Sequence, residues 1–282
     1  MKKKQIGSVV LMSTLLLSGC GTSTTVKTKT TAFQVVACSR SLGDMWQLAG
    51  GHLTGVTIDG KDLGKHIPIV GTLMRPNVEK IVALKPSKVL LTGDIPTQQK
   101  VKASLTEANV KVESVDVNNF HDYDKYMKEF TTENHRQDLY KKNVTDVKTR
   151  IDQIKKKVKF KKQTYLMIRV SSMKNKVLKK DYFATEIADA MHMQNIADDS
   201  SHLSEINVEE VVKKNPDYIF VIYQGEAKQA KAAYAKVAKE PGWSDLSAVK
   251  NKKVKVLPKN YFQFKPNAQW DKAYAYLYDY LS

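Results

Sequence analysis

Several residue types and motifs are scarce or missing, and each shortage excludes a function. The 282 residues include only two cysteines, Cys20 and Cys38, too few for a disulfide scaffold. No glycine occurs between Asp94 and Gln224, and no phosphate-cradling glycine pattern occurs elsewhere, so nucleotide chemistry lacks support. The nucleophile elbow Gly-x-Ser-x-Gly and the zinc motif His-Glu-x-x-His are absent. His52, His66, His121, His135, His192 and His202 are scattered without ligand spacing, so no metal set is expected. Acidic residues are few, 29 against 46 Lys plus Arg, for a formal net charge of +17. Such a surplus suits an anionic neighbour. No stretch beyond the first twenty residues reaches eighteen apolar positions, so the chain reads as anchored rather than spanning a membrane. The hydrophobic share of 42% is enough for one large or two medium folded cores, which excludes disorder.

Residues 1–20 fix the expected compartment. Lys2-Lys3-Lys4, the apolar run Val9 through Leu17, and Ser18-Gly19-Cys20 have the order of a secretory leader. Leu17-Ser18-Gly19-Cys20 also matches the bacterial lipobox, in which the Cys20 thiol takes a diacylglycerol and becomes the new amino terminus. The expected signal peptide is 1–19. Residues 20–33 form a lipidated start and a small, polar, flexible tether. Each buried lipid methylene contributes ~0.8 kcal/mol, so an acylated Cys20 holds the chain to the outer face of a membrane. That location makes nucleic acid an unsuitable partner. Cys38 follows Val35-Val36-Ala37 and is expected to be a buried small hydrophobe.

Downstream, short apolar runs alternate with helical patterns. Strands are expected at Gln34–Cys38, Gly55–Ile58, Ile67–Val70, Lys88–Thr92, Val110–Val117, Thr164–Val170, Asp217–Tyr223 and Lys253–Leu257. Helices are expected at Leu42–Leu48, Val78–Leu84, Thr97–Ala108, Phe183–Met191, Val208–Lys214, Ala227–Ala238 and Asn267–Leu281. From Tyr123 to Val158 no Gly or Pro interrupts, and Val144, Val147, Ile151, Ile154 and Val158 recur at helical spacing, so one long helix with a buried stripe is expected there. The run from Lys155 to Lys162 reads as a solvated helix end near anionic wall or lipid.

An internal echo organises the whole. Asn77-Val78-Glu79-Lys80-Ile81-Val82 with Pro86 returns 130 residues later as Asn207-Val208-Glu209-Glu210-Val211-Val212 with Pro216, and the strand at Gln34 falls on Thr164 at the same offset. The fold class is therefore α/β, with two pseudo-symmetric lobes bridged by one long helix. The expected divisions are an N-terminal lobe at 34–122, a bridge at 123–160 and a C-terminal lobe at 161–282. A ligand cleft is expected between the lobes.

The lipobox, Ser39-Arg40-Ser41-Leu42-Gly43-Asp44-Met45-Trp46 after the first strand, the segment from Gly71 to Pro86, and Pro241-Gly242-Trp243-Ser244-Asp245-Leu246 together resemble the substrate-binding lipoproteins of iron-complex, haem and cobalamin ABC importers. That resemblance implies two α/β lobes on a rigid helix and no enzymatic activity. It also implies a lipid-anchored protein that captures an iron chelate or haem, or alternatively a corrinoid, for a permease dimer with its ATPase. The sequence carries no sign of oligomerisation, so a tethered monomer is expected. No cofactor beyond the lipid is expected.

By resemblance, Glu79 and Glu209 dock onto permease arginines, although each also sits where it complements a helix dipole. Met74 occupies the position of a haem axial methionine, and a thioether also suits ordinary packing. The matching axial-histidine position holds Gln224, so Tyr223 or Tyr261 is an alternative ligand. Arg169 resembles the arginine that grips carboxylate or catecholate oxygens, and a surface salt bridge is the plainer use of it. Trp46, Tyr223, Tyr261, Phe262 and Phe264 either line the cleft or pack in the core. An enzyme acting on wall polymer would need two carboxylates facing each other across the cleft. Glu79 and Glu209, the only pair in view, are expected outside it.

Overall fold

Alternation of buried side chains along each strand decides what packs on either side of it. The computed structural model of the chain describes residues 33–198 and 206–282. The leader, Cys20 and most of the tether lie outside those residues. The first lobe contains β1 (Val35–Ala37), α1 (Arg40–Leu48), β2 (Leu53–Val56), the hairpin strands β3 (Gly71–Thr72) and β4 (Arg75–Pro76), α2 (Val78–Ala83), β5 (Lys88–Thr92), α3 (Pro96–Glu107) and β6 (Val112–Val115). The bridge follows as α4 (Phe120–Glu133), α5 (Gln137–Tyr140) and α6 (Asp146–Lys157). The second lobe contains β7 (Gln163–Val170), β8 (Lys176–Val177), α7 (Phe183–Asp189), β9 (Met193–Asn195), α8 (Val208–Lys214) and β10 (Tyr218–Tyr223). It closes with α9 (Ala227–Val237), α10 (Ser247–Lys250), β11 (Val254–Val256), α11 (Lys259–Phe262) and α12 (Trp270–Leu281).

The duplication expected at an offset of 130 extends to the pairing register. In the first sheet, ordered β2-β1-β5-β6, Val35 faces Lys88. In the second, Tyr165 faces Tyr218, and both positions lie 130 residues further on. There β9 joins β7 in parallel as β2 joins β1, while the antiparallel β8 is an addition of the second lobe. The caps repeat as well. Asn77 Oδ1 accepts from the Lys80 N–H at 2.8 Å, and Asn207 Oδ1 accepts from the Glu210 N–H at 3.2 Å, so the same residue type satisfies the same orphan donor in both lobes.

One core spans both lobes. Val35, Ala37 and Leu90 of the first sheet and Tyr165, Met167 and Phe220 of the second share a continuous buried cluster with residues of α4, α6 and α12. The opposite faces close separately, with Val36, Val89 and Leu91 on Ile81 and Leu105, and Leu166, Ile168 and Val221 on Val211 and Val237. Cys38 belongs to the first of these closures and is fully buried, as its sequence neighbours imply. Burial, with Asp59 nearby, pushes its thiol pKa up to about 12.

The bridge is helical, with one interruption inside the span expected to be continuous. Its stripe is buried as expected at Val144, Val147, Ile151 and Val158, with Ile154 partly so. α4 stops because His135 takes the left-handed conformation at φ 55°. The His135 N–H donates to the Thr132 carbonyl and the Arg136 N–H to the Thr131 carbonyl, which is a Schellman stop made without glycine. A second difference concerns Ile67–Val70, where only Ile69 bridges to Val56 and the strand pairing shifts to the hairpin that follows.

Candidate functional site

Parallel strands end with their carbonyls and connecting loops on one edge, and ligands of open α/β sheets sit at that edge. Here the edges of both lobes border one cleft of about 690 Å³, within the range of small-molecule sites. The first lobe contributes Ser39 and Ser41 after β1, Thr92 at the end of β5 and Val115 at the end of β6. The second contributes Arg169 near the end of β7 and Gln224 just after β10.

The hairpin forms a lip on the first-lobe side. Gly71 has φ +115°, and a Cβ there would lie 2.5 Å from the Arg75 carbonyl oxygen and 2.8 Å from the Asn77 nitrogen, so no larger residue fits the turn. Met74 at the tip is 52% exposed and lines the cleft. Gln98, fully buried on α3, holds the lip in place. Its Nε2 donates to the Leu73 carbonyl at 2.8 Å and to the Cys38 carbonyl at 2.7 Å, while its Oε1 accepts from the Thr92 N–H at 2.7 Å. Gln98 was missed in the sequence. Its only signal is a polar residue on the inward face of a helix opened by Pro96. Replacing Gly71 by Ala is expected to cost about 2 kcal/mol through backbone strain and to displace Met74. A lowered melting temperature, together with weakened ligand binding by the folded variant, checks this.

Across the cleft, the Arg169 guanidinium lies 5.5 Å from the Tyr182 ring centroid. Burial pushes the Tyr182 phenol up to about 12 against the opposing pull of Arg169, and its hydroxyl donates to the Phe262 carbonyl at 2.9 Å. Phe264 stands between Arg40 of the first lobe at 5.2 Å and Lys259 of the second at 5.1 Å. The cations Lys61, Arg169, Lys176, Lys259 and Lys265 line the cleft against Asp59, Asp94 and Glu226. Polar ties fasten the lobes beside it. Asn267 Nδ2 donates to Asp44 Oδ2 at 2.7 Å and to the Ser41 carbonyl at 3.1 Å, and the Phe120 N–H donates to Glu186 Oε2 at 2.9 Å. Burial raises the Asp44 carboxyl pKa, with the Asn267 hydrogen bond and Arg40 opposing. Burial likewise raises that of Glu186, opposed by the Phe120 N–H, Lys155 and Tyr274.

Of the residues singled out in the sequence, Met74, Arg169, Gln224 and Phe264 meet at this cleft, and four aromatics, Trp46, Tyr223, Tyr261 and Phe262, do not. Trp46 is corrected outright. It is fully buried, 5.4 Å from the Phe130 ring, and its Nε1 donates to the His52 carbonyl at 3.0 Å. Leu42, Met45, Trp46 and Ala49 share the inward stripe of α1, which turns the indole away from solvent. Tyr223 packs on the second-lobe cluster, Tyr261 and the fully buried Phe262 pack on the shared core, and none of the three is among the residues that line the cleft. Glu79 and Glu209 are exposed in the first turns of α2 and α8, outside the cleft lining. No cluster of three or more His, Cys, Asp or Glu able to hold a metal occurs among the described residues.

Two lobes on a helical bridge, with their strand ends facing one another over a polar-rimmed cleft, define a bilobal ligand-capturing protein. The chain belongs to the periplasmic binding protein family, whose model matches residues 36–261. It is 25% identical over 287 aligned residues to the high-affinity heme uptake system protein IsdE of Staphylococcus aureus (strain MRSA252), covering 96% of this chain and 95% of that protein. Two solved structures share the fold. S. aureus IsdE complexed with heme superposes with a TM-score of 0.78 at 22% identity, over 88% of this chain and 98% of that one. The periplasmic vitamin B12 binding protein BtuF of Vibrio cholerae superposes with a TM-score of 0.73 at 18% identity, over 89% and 96%.

Proposed function

We propose that this chain is the extracytoplasmic, lipid-anchored substrate-binding component of an ABC importer, capturing an iron complex, either haem or a ferric siderophore, in the cleft between its lobes. The observation that carries this is the pairing of an exposed thioether on the Met74 lip with the Arg169 guanidinium at the other side of one cleft. A thioether is a ligand for haem iron. A guanidinium is a fork for carboxylate or catecholate oxygens. The likeness to a haem uptake protein supports the same cargo. Phe264, and Gln224 in place of the axial histidine, complete the contacts. The shared core and the polar ties suit a cleft formed before the ligand arrives.

Glu79 and Glu209 serve as the docking points for the two halves of a permease dimer, one carboxylate on each repeated lobe. Cys20 carries the lipid anchor. No helix among the described residues is long and apolar enough to cross a membrane. The second reading, a corrinoid cargo, rests on the fold shared with the vitamin B12 binding protein.

Titration of the mature protein separates these ligands. Haem is followed by its Soret band, and ferric siderophores and cobalamin by calorimetry. Haem binding with a Soret shift lost in Met74→Ala supports haem, and chelate binding lost in Arg169→Ala supports a siderophore. Cobalamin binding alone selects the second reading, and binding of none of the three removes the proposal.

A further inference from the structure

Arg169 does not stand alone in the cleft. Lys176 lies directly opposite it across the β7–β8 pair, where like charges oppose strand pairing. Lys265, on the loop between α11 and α12, lines the same cleft as Arg169 and Lys176. Among the described residues, none of these three cations pairs with a carboxylate. Burial draws the Lys265 ammonium pKa below the ordinary lysine value, Arg169 adds to that shift, and Asp94, Asp116 and Asp122 oppose it.

The position of Lys265 is tightly fixed. Its backbone N–H donates to Ser41 Oγ at 3.3 Å and its Nζ donates to the Val117 carbonyl, both in the first lobe. The ammonium also sits 5.0 Å from the centroid of the Phe183 ring. One carbonyl occupies one of the three ammonium N–H donors, so two remain for a ligand. Asp94, Asp116 and Asp122 offset part of this positive charge without forming an ion pair to it, and an oxyanion placed among the three cations supplies the missing partner in a partly desolvated place.

We infer that Lys265 is a second cationic anchor of the cleft, which with Arg169 grips a carboxylate-bearing ligand and ties it to both lobes. This rests on the cleft being the cargo site and narrows the cargo. A haem with free propionates or a carboxylate iron chelate fits, whereas a neutral ferric trihydroxamate or cobalamin leaves the cations unpaired.

The test uses the mature protein with haem, haem dimethyl ester, ferric citrate, a neutral ferric trihydroxamate and cobalamin, in wild type, Lys265→Met and Lys265→Arg, with melting curves to establish folding. Carboxylate ligands are expected to bind wild type, to lose affinity about tenfold or more in Lys265→Met, and to be largely restored in Lys265→Arg. The ester is expected to bind wild type about tenfold or more weakly than free haem does, a comparison that needs no variant. Undiminished binding of the carboxylate ligand by Lys265→Met, or ester binding as tight as that of the free acid, overturns the inference. Binding confined to the neutral ligands overturns it while keeping the cleft as the cargo site. Binding of nothing in the panel overturns both.

Discussion

Trp46→Ala is expected to destabilise the protein by about 3–5 kcal/mol, the range for deleting a fully buried large aromatic. The indole is enclosed by Phe33 at 6.3 Å and Phe130 at 5.4 Å. A Cβ on Gly51 would come within 2.2 Å of its Nε1, so the chain is moulded to the ring. Removing it also uncovers Lys88, a 1% exposed residue of β5 whose ammonium lies 4.8 Å from the Trp46 ring and 5.0 Å from the Phe130 ring. That ammonium is held by Glu113 at 2.9 Å and Glu133 at 2.6 Å. These bonds keep a buried cation paired, and the two rings supply the remaining cover. A domain of this size loses about 10 °C in melting temperature for such a change, and a thermal melt followed by circular dichroism measures it. Because the ring does not line the cleft, the folded variant should keep its ligand affinity. A normal melting temperature with lost ligand binding would return Trp46 to the cleft.

The second large effect is expected in transport rather than folding. Glu79→Ala combined with Glu209→Ala should abolish uptake in cells while leaving affinity for the ligand unchanged. Truncating one member of an interfacial charge pair costs about 2 kcal/mol or more, so two such losses weaken docking roughly a thousandfold. The folded state should barely register the change. Both side chains are exposed, and the helix starts retain their Asn77 and Asn207 caps. A carboxylate near a helix start contributes only about 0.3–1 kcal/mol. Normal uptake by the double variant would refute the docking role.

Much of this architecture was legible because two physical signals agreed. The strand at Lys88–Thr92 and the helix at Val208–Lys214 fall where they were expected, each marked by an apolar run or an Asn cap and bounded by turn residues. The 130-residue echo holds down to the strand register, since a duplicated sequence carries its hydrophobic alternation with it. The stop at His135 was hidden because its left-handed residue is not glycine. The short β8 and β9 carry too few residues for any periodicity. In the site, Met74 and Arg169 were accessible through motif resemblance, whereas Gln98 and Lys265 are single polar residues whose importance comes only from the neighbours that folding gives them. Trp46 shows the opposite case. Its inward stripe with Leu42, Met45 and Ala49 was present in the sequence, and the helical period already pointed the indole at the core.

The enclosed thiol of Cys38 has a practical consequence. With its pKa pushed up to about 12, little thiolate forms near neutral pH to meet oxidants or alkylating agents. The strand end it occupies is covered by Ile81 and Leu105, so a labelling reagent gains access only when that layer separates. The rate at which Cys38 is modified therefore serves as a built-in clock for opening of the first lobe.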